Sequence, residues 1–188
     1  MQSERKLVPA LVQFMDNSSP KLQCQALVTL GYLTKERESQ LPRPRISYSS
    51  PTAAGRVLGI VETDGLKSLL RLLQSQDLDL ISSAASCIRN VTLRPEYDST
   101  IIEAGFLQPL VNLMGFKDNK TIQYYAAEAL GNLAESTECN KLAIGNAGAV
   151  HLIQELIVEL LPDVQVEMAH CIRGLSHSGM HSPSNHLL

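Results

Sequence analysis

The apolar positions of this chain follow a helical period almost throughout. Residues 99–135, STIIEAGFLQPLVNLMGFKDNKTIQYYAAEALGNLAE, predict one short helix, a turn and two longer helices, because apolar residues recur there every three or four positions. Gly105 is placed to end the first helix, and Pro109 falls early in the second, where its missing N–H costs little. A unit of this size cannot bury its own apolar face, so it needs a similar unit on each side.

The sequence contains such units. The end of the third helix recurs as CIRN, ALGN and CIRG, and the last residues of these strings, Asn90, Asn132 and Gly174, follow one another at intervals of 42. A turn glycine recurs with steps of 40 and 43, at Gly65, Gly105 and Gly148. A period of about 40–47 residues is typical of HEAT or armadillo arrays, and a short helix before a glycine turn favours the three-helix armadillo unit. We therefore predict an all-α fold, an armadillo-repeat right-handed superhelical solenoid of about four repeats.

The repeat pattern divides the chain into six segments. Residues 1–36 form a partial repeat, with Ser19 and Pro20 opening its last helix, and full repeats span residues 58–97, 98–138 and 139–177. Residues 178–188 form a disordered tail. The incomplete first unit would expose an apolar flank, which indicates a piece of a longer array.

Residues 37–57 are predicted to be an inserted flexible loop. Tyr32 precedes Asn90 by 58 residues, which is 16 more than the period, and this stretch is rich in Pro, Ser and Arg without a helical period. The segment is either an inert loop, a wrongly included stretch of coding sequence, or a regulatory loop that is phosphorylated at Ser47, Ser49 or Ser50.

Composition and motifs exclude several classes of function. The 188 residues carry a formal net charge of −3 and are 44% hydrophobic, an ordinary globular balance without the basic patch of a nucleic-acid-binding protein. No apolar run is long enough to span a bilayer, and Gln2 after Met1 does not match a myristoylation motif. Three of the four cysteines occupy buried-looking positions of third helices, with the spacing of the repeat rather than of metal ligands, which favours core positions in a reducing compartment.

Nothing in the sequence indicates an enzyme. Candidate nucleophiles lack a nearby base in any shared local motif, and there is no Gly-rich phosphate loop, so we expect neither a catalytic site nor a cofactor. His177, His181 and His186 suggest a metal site only weakly, because they lie in a polar tail without fixed structure. We expect no metal site.

The predicted partner site lies on the third helices, which line the concave face of such arrays. The asparagine column reads Tyr32, Asn90, Asn132 and Gly174, and an Asn amide can pair with both the N–H and the C=O of an extended peptide. Alternatively, these asparagines cross-link neighbouring helices within the protein. The arginines of the preceding column suit carboxylates of a partner. The candidate groove residues are Tyr32, Ser86, Arg89, Asn90, Glu128, Asn132, His170 and Arg173.

Three segments carry a more specific resemblance: KLVPALVQFMDNSSPKLQCQALVTL, LLRLLQSQDLDLISSAASCIRNVTL and STIIEAGFLQPLVNLMGFKDNKTIQ. They resemble the armadillo-repeat family, and within it most closely the vacuolar armadillo proteins of fungi. The resemblance implies a non-enzymatic adaptor on the cytosolic face of the vacuole membrane. Its implied roles are vacuole inheritance, nucleus–vacuole contact, cytoplasm-to-vacuole targeting and autophagy, and vacuole fusion, each with a different protein partner.

The chain departs from that family in ways that keep alternatives open. It lacks the acylated N-terminal segment, so we expect membrane attachment only through a lipid anchor absent from this chain, and the fragment alone would be cytosolic. It has Gly31-Tyr32 where the family usually has Arg-Asn. An importin-alpha-like receptor is one alternative, although it needs a Trp where this chain has Ser86 and Glu128. A truncated fragment without independent activity is another.

Overall fold

The computed structural model of the protein describes residues 2–35, 51–156, 158 and 161–176. Within these ranges the chain forms eleven α-helices and one 3-10 turn, and no strand. The helices are α1 (Gln2–Met15), α2 (Pro20–Thr34), α3 (Pro51–Glu62), α4 (Gly65–Leu73), α5 (Leu78–Thr92), α6 (Asp98–Glu103), α7 (Leu107–Met114), α8 (Lys120–Ala134), α9 (Glu138–Asn146), α10 (Ala149–Leu156) and α11 (Pro162–Ser176); the 3-10 turn is Pro95–Tyr97.

The third helices of successive repeats form one continuous row. Helix α5 packs between α2 and α8, and α8 packs between α5 and α11. Helices α1, α4 and α7 each pack on the third helix of their own repeat. One hydrophobic core, built mostly of Leu, Ile, Val and Ala, runs through all repeats. The predicted all-α array with about four repeats is therefore confirmed.

The four third helices have equal lengths, and each begins at a recognisable start signal. All four contain 15 residues. Proline opens α2 and α11, whereas a side-chain cap opens the other two. Asp77 Oδ1 accepts hydrogen bonds from the N–H groups at the start of α5, and Asn119 Oδ1 does so for α8. Each such cap is worth about 1 kcal/mol. Ser19 occupies the N-cap position of α2, but its side chain makes no capping bond.

The prediction that Gly65 is the turn glycine of its repeat is wrong. The left-handed residue is Asp64, with φ of 53°, whereas Gly105 and Gly148 have φ of 90° and 87°. Asp can adopt this conformation more readily than most residues, because its short polar side chain can form local hydrogen bonds. Gly65 is required for packing instead, since a Cβ there would lie 2.6 Å from the carbonyl oxygen of Ile60.

The predicted loop is also too long at its C-terminal end. Helix α3 begins at Pro51, so residues 51–57 are helical rather than part of a flexible loop. Pro51 fits the first turn of a helix, and Ala53, Val57 and Ile60 are buried at helical spacing. Residues 37–50 and the predicted disordered tail at 178–188 lie outside the described residues.

Candidate partner-binding face

A pocket opens on the row of third helices, between α2, α5 and α8. Its volume is about 410 Å³, within the ~300–1,000 Å³ that is common for ligand pockets. Four of the predicted groove residues line it: Tyr32, Ser86, Arg89 and Asn90. The other lining residues are Leu27, Val28, Gly31, Lys35, Ser82, Ser83, Tyr124 and Tyr125. The structure thus brings half of the predicted residues together in one place.

The two ladder asparagines make hydrogen bonds to the preceding repeat. Asn90, only 3% exposed, donates from Nδ2 to Gly31 O at 3.0 Å and to Thr34 Oγ1 at 3.1 Å. Asn132 is also buried, and its Nδ2 donates to Thr92 Oγ1 at 3.1 Å. These bonds agree with the alternative in which the asparagines cross-link neighbouring helices. Contact between these two amides and a partner stays a prediction.

Sequence reasoning missed the threonines that receive these bonds. Thr34 and Thr92 occupy the same position of consecutive third helices, two residues after the ladder residue. The next junction replaces the pair, because Ala134 follows at the threonine position and Gly174 at the asparagine position. A Cβ on Gly174 would lie 2.9 Å from Ala134 Cβ. The paired change from Asn and Thr to Gly and Ala was a readable signal that the two columns face each other.

Arg89 is paired within the protein. Its Nη2 donates to Glu128 Oε1 at 2.6 Å, and its Nε lies 2.6 Å from Glu128 Oε2. The Glu128 side chain is 0% exposed and that of Arg89 is 13% exposed. Arg89 Nη1 also donates to Asn90 Oδ1 at 3.0 Å. Glu128 thus already neutralises the Arg89 charge, and the Glu128 carboxylate is not exposed on this face. Contact between either residue and a partner stays a prediction.

The last two predicted residues lie one repeat further on. His170 Nε2 lies 2.6 Å from Glu135 Oε1, and its Nδ1 lies 3.9 Å from Glu167 Oε2. The His170 ring packs against Gly131, where a Cβ would lie 2.8 Å from Nδ1. Arg173 is exposed near the end of α11. Neither His170 nor Arg173 lines the pocket.

Two thiols of the third helices, Cys87 and Cys171, are buried. Cys87 Sγ donates to Leu27 O at 3.1 Å, and burial raises the pKa of this thiol to about 12. Burial also raises the pKa of the Cys171 thiol to about 12. A thiol with such a pKa is protonated at neutral pH and is a poor nucleophile. These side chains fill the core between helices.

The described part of the chain contains neither a metal-binding cluster nor a membrane-spanning helix. No cluster of three or more His, Cys, Asp or Glu side chains in it could hold a metal ion. None of its helices is long and apolar enough to cross a bilayer. The three tail histidines, His177, His181 and His186, lie outside the described residues.

The geometry and the comparisons define the class of this protein. The model of the Armadillo/beta-catenin-like repeat matches residues 6–35 and 94–135. A designed armadillo repeat protein in complex with the peptide (KR)4 superposes with a TM-score of 0.74 at 20% identity, over 89% of this chain and 64% of that chain. A computationally designed armadillo repeat protein for modular peptide recognition gives 0.75 at 21% identity, over 89% and 63%. The chain therefore carries armadillo repeats at residues 6–35 and 94–135, and its fold is that of an armadillo array.

Natural relatives point to one group of armadillo-repeat proteins. The chain is 42% identical to Vacuolar protein 8 of Schizosaccharomyces pombe, over 94% of this chain and 29% of the relative. It is 38% identical to Vacuolar protein 8 of Candida albicans, over 90% and 26%. It is 40% identical to Vacuolar protein 8 of Saccharomyces cerevisiae, over 61% and 20%. The chain thus spans less than a third of the length of these relatives.

Proposed function

We propose that this protein is a non-enzymatic, protein-binding scaffold of the vacuolar membrane, and that it binds extended segments of partner proteins on its third-helix face. The pocket between α2, α5 and α8 carries the proposal, because it is a formed concavity on the face that armadillo arrays present inward. Its walls mix hydroxyl groups with aromatic and aliphatic surface, which suits a peptide rather than a reacting small molecule.

The vacuolar assignment derives from the relatives named Vacuolar protein 8. By analogy, the partners are proteins that act in vacuole inheritance, nucleus–vacuole contact, cytoplasm-to-vacuole targeting and autophagy, or vacuole fusion. The analogy also implies that the surface works at the cytosolic side of the membrane. Attachment to that membrane would then use a lipid anchor.

A binding experiment tests the peptide-binding part of the proposal. The purified chain is used to select from a phage library of random linear peptides, and the affinities of selected peptides are measured by fluorescence anisotropy. We expect selected peptides to lose at least about tenfold in affinity for Tyr32→Ala, in line with a loss of ~1.4 kcal/mol at a hot spot. Lys67→Ala is the matched control, because Lys67 is an exposed residue on α4, outside the pocket. Equal losses in both variants, or no selected peptide, would refute the proposal.

A chimera tests the vacuolar part. The chain replaces the matched segment of Vacuolar protein 8 in Schizosaccharomyces pombe, and vacuole morphology and inheritance are scored by microscopy. We expect the chimera to restore at least one vacuolar process that a deletion of the segment abolishes. A chimera that is stable and reaches the vacuole but restores none of them would contradict the assignment.

A further inference from the structure

The pocket exists where the chain departs from its own repeat. Helices α2 and α5 are the third helices of consecutive repeats and have equal lengths, and Gly31-Tyr32 in α2 stands where α5 has Arg89-Asn90. The Asn90 side chain is buried at the junction with α2, whereas Tyr32 is 76% exposed. At the other position, Gly31 presents no side chain to the wall that Ser86 helps to form.

The missing side chain at Gly31 leaves room on that wall. A Cβ built on Gly31 would lie 3.7 Å from Cys87 Sγ and 3.9 Å from Ser86 Oγ, which are ordinary contact distances. A methyl group therefore fits, but a longer side chain would extend along the wall between α2 and α5. Glycine at this position keeps the pocket open.

Aromatic rings and hydroxyl groups line the pocket. Tyr32 stands on α2, and Tyr124 and Tyr125 stand on α8, with their two ring centroids 5.7 Å apart in an edge-to-face arrangement. The three serines of α5 that line the pocket, Ser82, Ser83 and Ser86, supply hydroxyl groups between these aromatic sides. Aromatic rings pack favourably edge-to-face against other rings, and hydroxyl groups can bond a phenolic O–H.

The charged residues that line the pocket, Arg89 and Lys35, do not favour a charged ligand. The Arg89 guanidinium is paired with the buried Glu128 carboxylate beneath it. The other charged lining residue, Lys35, is exposed at the rim, where solvent and salt screen its field. A basic side chain that entered the pocket would lose hydration and would meet no acidic lining residue. An acidic side chain would meet only the screened Lys35 and an Arg89 that is already paired, so little would offset its loss of hydration.

We infer that this pocket selects partner segments by an uncharged aromatic side chain, Phe or Tyr, which inserts between Tyr32 and the tyrosines of α8. The inference rests on the proposed function, because it assigns the anchor of the peptide that the third-helix face binds. The Gly31-Tyr32 replacement is the specificity determinant: Gly31 keeps the pocket open, and Tyr32 supplies one aromatic side.

The test is a positional library of nine-residue linear peptides in which the central residue is fixed in turn as Phe, Tyr, Leu, Lys, Arg, Asp or Glu and the flanks are randomised. Binding to the purified chain is measured by fluorescence anisotropy. We expect the Phe and Tyr pools to bind at least about fivefold more tightly than the others, a difference of ~1 kcal/mol. If a Leu, basic or acidic pool binds best, the inference is overturned while the proposed function stands. If no pool binds, both fail.

Two variants of Gly31 place the preference at this pocket. Gly31→Leu should abolish the aromatic preference, because the leucine side chain would occupy the pocket along this wall. Gly31→Ala is the matched control and should keep the preference. Tyr32→Ala should reduce the preference as well, and because Tyr32 is exposed this variant should keep the wild-type urea unfolding curve. An aromatic preference that survives both Gly31→Leu and Tyr32→Ala would overturn the inference.

Discussion

The sharpest prediction concerns the ion pair between Arg89 and Glu128. It links α5 to α8, and Glu128 is wholly buried. Arg89→Ala removes both contacts of 2.6 Å and leaves the buried carboxylate without this guanidinium. The variant therefore tests whether this pair holds two repeats together, a role quite different from binding a partner.

The expected loss of unfolding free energy follows from the burial of the Arg89–Glu128 pair. Removal of one member of a buried pair typically costs about 3–5 kcal/mol, because an uncompensated charge remains. Arg71 and Asp16 supply a matched control: they also link two repeats, at 3.0 Å, but their side chains are 51% and 58% exposed. An exposed pair is worth about 0–1 kcal/mol. Arg71→Ala also loses its bond to Met15 O, so we expect a total cost of about 1–2 kcal/mol.

Urea unfolding followed by circular dichroism at 222 nm measures both free energies of unfolding. The double variant Arg89→Leu with Glu128→Leu should recover much of the loss of Arg89→Ala, because no unpaired charge remains. The reasoning is refuted if Arg89→Ala costs no more than Arg71→Ala, or if the double variant is the least stable of all. It also follows that Arg89→Ala is unsuitable as a probe of partner binding.

Two other predictions concern the repeat junctions and the thiols. Asn132→Ala and Thr92→Val should each cost about 1–2 kcal/mol of unfolding free energy, and their double-mutant cycle should show coupling of ~0.5–1.5 kcal/mol; strict additivity would mean that the bond between Asn132 and Thr92 contributes nothing. In the native protein at pH 8, iodoacetamide should alkylate the exposed Cys139 but not Cys87 or Cys171, whose pKa values near 12 leave them protonated. Mass spectrometry reports the sites, all four cysteines should react in urea, and rapid native alkylation of Cys87 would contradict its burial.

The sequence predicted the repeats because a helical period and a fixed spacing are local signals. The Asn90–Asn132 interval located two third helices, and Pro20 and Pro162 marked the starts of the other two correctly. The turn before α4 was harder, since Asp64 rather than a glycine adopts the left-handed conformation there. The spacing of glycines alone therefore predicts the neighbouring Gly65.

The candidate site was less predictable, because it depends on contacts between repeats. The sequence predicts the repeat positions of Arg89 and Asn90, but not the hydrogen-bond partners of their side chains. Glu128 lies 39 residues beyond Arg89, and Thr34 lies 56 residues before Asn90, so neither contact follows from local spacing. The exposed position of Tyr32 is likewise a property of the assembled face. Period predicts which residues share a helix face, whereas packing decides which of them remain available to a partner.

The central claim is that partners bind the third-helix face, and an NMR titration tests it most directly. A linear peptide selected by the chain is titrated into the 15N-labelled protein, and the shifted backbone amides are mapped onto the structure. We predict that the largest shifts occur on α2, α5 and α8, around Tyr32, Ser86 and Tyr125. Saturable binding with shifts confined to α4, α7 and α10, on the helices outside this row, would contradict the account.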